Sequence, residues 1–205
     1  MRRLFMALFL FAAVACAADS AQSLLDEIVA VYNAAPAVEA HFTQTNTWPD
    51  LDRSMTSHGV MYYNQEKLLL RYDEPEGHML LALPESIQMW DPGANREIIL
   101  DPGEIAGQLR PAQLVAHYAD GALLERTDIG DRSELRITPE DSQDLRRLRV
   151  TWDRSKKRIV EMGYETIDGD QVSYLFTDQK FPSVIKEETF LPNLPSSRDI
   201  IDTRQ

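Results

Sequence analysis

A chain of 205 residues, 26% charged and 43% hydrophobic, has the size and composition of one globular domain. Its formal net charge of −12 argues against general nucleic-acid binding, which depends on neutralising phosphates, and against electrostatic attachment to anionic lipid surfaces. The single cysteine, Cys16, excludes an internal disulfide framework and a cysteine-rich zinc site, so the fold must rest on apolar burial.

The first residues read as a secretory signal peptide, residues 1–18. Met1-Arg2-Arg3 is a positive n-region, Leu4 to Val14 is an apolar h-region, and Ala15-Cys16-Ala17-Ala18 offers small residues at an A-x-A spacing. The segment is too short for a permanent membrane span. Residues 19–205 form the expected mature domain, made more acidic by the loss of Arg2 and Arg3. Ala13-Val14-Ala15-Cys16 also loosely matches a bacterial lipobox, with Ala13 where Leu is usual. Cys16 is therefore either lost by cleavage after Ala17 or Ala18, or acylated as a membrane tether.

Ser20 to Ala34 has Leu25, Ile28, Val29 and Tyr32 on one stripe, which predicts an amphipathic helix closed by Pro36. Val38 to Gln44 alternates as a half-buried strand, with Phe42 on its apolar face. Thr45 to Ser54 is polar and predicts a loop. Four short apolar runs follow: Gly59 to Tyr63, Lys67 to Tyr72, His78 to Leu83, and Ser86 to Trp90. Pro, Gly and acidic residues punctuate them, the pattern of consecutive antiparallel strands. Arg96 to Leu100 is a fifth strand between two Asp-Pro-Gly turns, in which Pro sets φ and Gly accepts a positive φ. Glu104 to Leu109 and Pro111 to Ala119 predict two short helices, the second with Leu114, Val115 and Tyr118 on its apolar edge. They read as a lid over the sheet or as ordinary core helices.

Strands resume at Leu123 to Thr127 and Ser133 to Ile137 around Gly130-Asp131. Leu148, Val150 and Trp152 then alternate with Arg147, Arg149 and Thr151, and Val160, Met162 and Tyr164 alternate next. The Asp168-Gly169 hairpin returns the chain through Val172, Tyr174 and Phe176. About ten strands with a leading helix make one strongly curved antiparallel sheet the expected fold, and its hollow side a groove.

In this order the features resemble the outer-membrane lipoprotein carrier proteins, the LolA family, over essentially the whole mature chain. The residues carrying the likeness are Phe42-Thr43-Gln44 after the helix, Gly59 opening a strand, Leu70 through Pro75, Trp90-Asp91-Pro92, the hairpin at Asp168-Gly169 with Val172, Tyr174 and Phe176, and Phe190-Leu191-Pro192 through Asp199-Ile200-Ile201-Asp202. The resemblance implies a mainly β fold, an incomplete antiparallel β-barrel with an N-terminal helix and a short helical lid. It implies a periplasmic carrier without a cofactor, receiving acylated lipoproteins or other lipid from an inner-membrane ABC transporter and passing them to an outer-membrane acceptor. A monomer is expected. Where many members carry Lys-Arg-Pro after the Gly-led strand, this chain has Asn64-Gln65-Glu66, so the family arginine's role in cargo handover has no counterpart.

The residues expected to line a lipid-binding groove on this reading are Phe42, Val60, Tyr62, Leu70, Leu80, Ile87, Met89, Leu114, Val115, Trp152, Met162, Tyr164, Tyr174 and Phe176. The competing reading is that these stripes are core. The four histidines, His41, His58, His78 and His117, have no metal-ligand spacing, and no G-x-S-x-G, P-loop or G-x-G-x-x-G occurs, so neither a metal site nor an enzyme is expected. The basic run Arg146 to Arg158 reads as a solvated strand face or a docking patch. The alternative from another class is an anchored outer-membrane acceptor or other envelope lipid-binding protein with Cys16 acylated.

Overall fold

The computed structural model describes residues 20–102 and 111–204. The signal segment with Cys16 and residues 104–110 of the expected helical insert lie outside them. The described residues start with helix α1, residues 20–34, whose Leu24, Leu25, Ile28 and Tyr32 are buried. Six strands follow: β1 (Ala37–Trp48), β2 (Arg53–Asn64), β3 (Lys67–Glu74), β4 (Met79–Leu83), β5 (Ser86–Asp91) and β6 (Arg96–Leu100). Helix α2 (Pro111–Ala119) separates these from β7 (Leu123–Ile129), β8 (Arg132–Thr138), β9 (Leu145–Asp153), β10 (Arg158–Thr166) and β11 (Gln171–Lys180), and β12 (Asp199–Asp202) ends the chain. Among the described residues the twelve strands form one sheet in the order β12-β6-β5-β4-β3-β2-β1-β11-β10-β9-β8-β7. Its two edges, β12 and β7, do not pair, so the sheet is an incomplete barrel. Every neighbouring pair is antiparallel except β12 with β6, which is parallel and is pinned by an Arg96–Asp199 ion pair at 3.1 Å.

The helices lie on one face, here the inner one. Its core joins α1 to Val38, Ala40 and Phe42 of β1, to Leu68 and Leu70 of β3, and to Leu148, Val150 and Trp152 of β9. Ala112, Val115, Tyr118 and Ala119 of α2 belong to the same core, with α2 against β8, so the described part of the expected lid is packed as a core helix. A second, smaller core lies on the outer face. There the tail after β11 folds back, and Ile185, Phe190 and Leu194 cover Leu69, Met79, Leu81 and Trp90.

Four expectations are corrected. Thr45 to Ser54 is not a loop: β1 and β2 run on to Trp48 and back from Arg53 around a one-turn 3-10 helix, Pro49–Leu51, because this hairpin pairs residue for residue to its tip. Gly59 lies inside β2 and does not open it. In the turn after β5 the left-handed residue is Asn95 (φ 48°) and not Gly93, while the Asp91 carboxylate accepts a hydrogen bond from the Ala94 N–H at 3.1 Å. Finally, β10 carries a bulge between Ile159 and Glu161. An extra residue there shifts the alternation, so that Ile159 joins Met162 in the inner core and Val160 does not.

That bulge is tied to α1. The Tyr32 hydroxyl accepts a hydrogen bond from the Ile159 N–H at 3.0 Å and donates one to Gln179 Oε1 at 3.0 Å, and the Gln179 amide donates to the Ile159 carbonyl. Burial holds the Tyr32 phenol far above its usual pKa, with the Ile159 bond and Arg158 opposing. Tyr32→Phe would keep the ring against Trp152 and Phe181 but leave the Ile159 N–H unpaired in the interior. The expected loss is about 1–3 kcal/mol, read from the urea midpoint.

Candidate functional site

Strand pairing decides which apolar side chains share a face. Phe42 pairs Gly59, and Gly59 pairs Tyr72, so these three share the inner face. From there the inner row runs through Leu70, Leu80 and Met89 to Ile98 on one side. On the other it runs through Phe176 and Tyr174 of β11 to Met162 and Tyr164 of β10. The centre of this face is aromatic. Phe42 meets Tyr72 edge-on at 5.2 Å and Tyr174 at 6.2 Å, and Tyr174 stacks on Phe176 at 6.1 Å with ring planes 5° apart.

Beside this aromatic row, toward the β1–β2 hairpin tip, is an open cavity of about 470 Å³. Tyr72, Leu80, Met89 and Ile98 give it apolar walls, and Gln44 and Asn46 add amides from β1. That volume falls within the ~300–1,000 Å³ of small-molecule sites, and a largely apolar wall with a few fixed polar groups is their usual make-up. The polar groups are tied to one another. Tyr72 donates to Gln44 Oε1 at 2.8 Å, and the Gln44 amide donates to Asn46 Oδ1 at 3.0 Å. Burial, with the neighbouring Tyr164 phenol adding, pushes the Tyr72 pKa up to about 12. Burial also raises Tyr174 and Tyr164. All three phenols therefore stay protonated and uncharged near neutral pH. Met55 and Met89 are 43% and 42% exposed at the wall, unbranched side chains able to fit irregular apolar shapes.

The fourteen residues singled out in the sequence divide by position. Leu80 and Met89 line the cavity, and Tyr164, Tyr174 and Phe176 lie half-buried on the same inner face. Phe42, Leu70, Ile87, Val115, Trp152 and Met162 lie on the same side but are buried in the core, with Leu114 packed half-buried against it. Val60 and Tyr62 are on the opposite face and do not join the others. Val60 pairs His41 and Arg71, and Tyr62 packs into the outer core under the tail. Among the wall residues, sequence reasoning missed Gln44, Asn46, Met55, Ser57, Tyr72 and Ile98. Asn46 and Met55 lie in or beside the stretch expected to be a loop, and Ser57 follows just after it. Continuing the Phe42–Gln44 alternation to Asn46 would have found that one. The turn Asn64-Gln65-Glu66 stands at the opposite end of β2 from Met55 and Ser57, away from the cavity.

No family model matches the chain, and no curated protein matches it. Solved structures do match. An uncharacterized conserved protein from Thermus thermophilus aligns over 89% of this chain and 99% of its own, with a TM-score of 0.57 at 11% identity. MucB aligns over 89% of this chain with a TM-score of 0.53 at 13% identity, and this chain spans 66% of the MucB chain. A LolA superfamily protein from Nitrosomonas europaea aligns over 83% of this chain and 96% of its own, with a TM-score of 0.43 at 12% identity.

These likenesses concern the fold. What they share with this chain is its architecture, a leading helix laid on an open, mainly antiparallel sheet with a short helix between its halves. No helix among the described residues is long and apolar enough to cross a membrane.

Proposed function

We propose that the protein is a periplasmic carrier that shields the acyl chains of lipoproteins, or of another lipid, in the inner-face cavity. The observation that carries this reading is the cavity itself: an open, mostly apolar hollow of about 470 Å³ on the inner face of an incomplete barrel, bounded by Tyr72, which packs on Phe42. Burying acyl carbon is worth roughly 0.8 kcal/mol per CH₂, so a ~15-carbon chain gains on the order of 12 kcal/mol at most. The uncharged Tyr72 hydroxyl and the Gln44–Asn46 amides give the wall fixed polar points, and the ionisable side chains that also line it, His78, Asp91 and Arg96, are half-buried or exposed.

The resemblance supplies the carrier's route, from an inner-membrane ABC transporter to an outer-membrane acceptor. Handover proceeds here without the family arginine, because the corresponding turn carries Asn64-Gln65-Glu66 and lies far from the cavity. Release needs a compensating step, for which movement of α2 is the candidate, since Val115 and Ala112 hold it on the same core.

The test is binding of a fluorescent acyl probe and of a triacylated lipopeptide to the delipidated protein. Leu80→Glu and Met89→Glu put a charge into the cavity wall at half-buried or exposed positions. Each is expected to weaken binding at least tenfold while the thermal midpoint stays near that of the wild type. Unchanged binding by both variants would remove the cavity from the account. Mass spectrometry of the mature N-terminus distinguishes a shuttle from an anchored acceptor, because an acylated Cys16 is incompatible with free diffusion.

A further inference from the structure

The outer face holds a second hollow with the opposite chemistry. It has a volume of about 340 Å³ and lies over β1, β11, β10, β9 and β8, on the face away from the helices. Two cross-strand rows build it. The first is Thr45, Ser173, Gly163, Arg149 and Arg136, each opposite the next on the adjoining strand. The second is Thr47, Gln171, Glu165 and Arg147. Gly163 lies mid-strand, where glycine weakens a sheet and often marks close approach by a ligand or another backbone. A Cβ there would meet the Val172 carbonyl at 3.3 Å, with Ser173 Cβ and an Arg149 guanidinium nitrogen at 3.7 Å. Gly59, also mid-strand, is covered by the Phe42 ring, whereas Gly163 is a buried floor of the hollow with the Arg149 guanidinium beside it.

The charges around it are unusual for so acidic a chain. Arg149 and Arg136 stand directly opposite each other on neighbouring strands, an arrangement that repels. Arg149 turns to Glu161 at 2.9 Å, and Arg136 to Glu134 at 3.1 Å and Glu125 at 3.5 Å. Glu165 is engaged by Arg146 at 3.0 Å. Among the described residues Arg147 makes no ion pair and no side-chain hydrogen bond. Three guanidiniums thus line the hollow on one side against a single carboxylate, with two threonine hydroxyls, a serine hydroxyl and the Gln171 amide on the other. Guanidinium forks match oxyanions, and this many donors exceeds what the two oxygens of a carboxylate can accept.

We propose that the hollow over Gly163 is a binding site for a phosphate group, held by Arg147, Arg149 and Arg136 against Thr45 and Ser173. Its source is either a soluble phosphomonoester or the headgroup of an anionic phospholipid. The site lies on the face opposite the acyl cavity, so it stands or falls independently of the carrier reading.

The test uses the full chain with three probes: inorganic phosphate, glycerol 3-phosphate, and vesicles of phosphatidylglycerol against phosphatidylcholine. Calorimetry or ³¹P NMR reads the small ions, and co-sedimentation reads the vesicles. The Arg147→Gln/Arg149→Gln double variant is expected to weaken binding at least tenfold. Gly163→Val should do the same with no change of charge, by filling the hollow. Lys156→Gln, in the turn after β9, removes a charge elsewhere and should leave binding unchanged. Saturable binding of the small ions assigns a soluble ligand. Binding of phosphatidylglycerol vesicles alone, lost in the same variants, assigns a headgroup. Binding by neither, equal binding by wild type and Gly163→Val, or equal losses in Lys156→Gln and the double variant would overturn the proposal.

Discussion

Gly59→Ala is expected to destabilise the fold by about 3 kcal/mol or more, the upper part of the range for overpacking a core. Gly59 lies between Phe42 and Tyr72 in register, and those two rings close over it edge to face at 5.2 Å. A Cβ would stand 2.2 Å from the Arg71 carbonyl oxygen and 2.9 Å from Phe42 Cζ. The first contact is with backbone and cannot be relieved by a rotamer change, so β2 and β3 would have to separate where their register already shifts between His58 and Gly59. The same methyl group would lift Phe42 off the sheet and disturb the Tyr72–Gln44 bond at the cavity wall. Urea unfolding measures the loss, and a fall in acyl-probe affinity should accompany it. A midpoint within error of the wild type would show that the rings do not sit down on this glycine.

Trp152→Ala is expected to cost about 3–5 kcal/mol, a large share of the ~5–15 kcal/mol by which domains are stable. Trp152 is fully buried on β9, opposite Ser133 and Ile159, with its ring 6.5 Å from that of Tyr32. It joins the sheet to α1 at the same place as the Tyr32–Ile159 bond, so its removal leaves a void that neither helix nor strand can close. Its indole N–H makes no hydrogen bond, which sets up a control. Trp152→Phe keeps most of the ring and orphans no partner, so its loss should be clearly smaller. Equal losses in the two variants would mean that the indole N–H has a role the hydrogen-bond geometry does not show.

The element order was legible because most strands alternate and most breaks contain Pro, Gly or Asp. Strand β6, Arg96–Leu100, stands where the sequence puts it, and α1 buries Leu25, Ile28 and Tyr32 as its stripe requires. Facing was legible only where one side meets water. Along β9, arginine alternates with Leu148, Val150 and Trp152, and the inner set follows from the period of two. In Val60-Met61-Tyr62-Tyr63 both parities are apolar, because the returning tail covers the outer face there, and no period separates Val60 and Tyr62 from Met61 and Tyr63. Leu68 to Leu70 and Met79 to Leu83 are ambiguous for the same reason. The tip of the β1–β2 hairpin was misread for the opposite one: residues 49–56 are exposed, so paired strands there keep the polar composition of a loop. The bulge after Ile159 leaves no mark that periodicity can detect.

Of the cavity wall, only the apolar part was legible. Leu80 and Met89 were found because they lie in apolar strands, whereas Gln44, Asn46 and Ser57 are polar and owe their place in the wall to register alone. Nothing in the local sequence distinguishes the outer hollow either, since it depends on Gly163 falling opposite Arg149 and beside Ser173 across three strands.

The most direct test of the carrier reading is lipid analysis of the protein purified, without detergent, from a diderm bacterial host that expresses the full chain. Organic extraction followed by mass spectrometry should recover an acylated molecule in stoichiometric amount from the wild type and little from Leu80→Glu. A wild-type protein that emerges free of lipid, and that takes up no acyl probe when one is offered, would contradict the account.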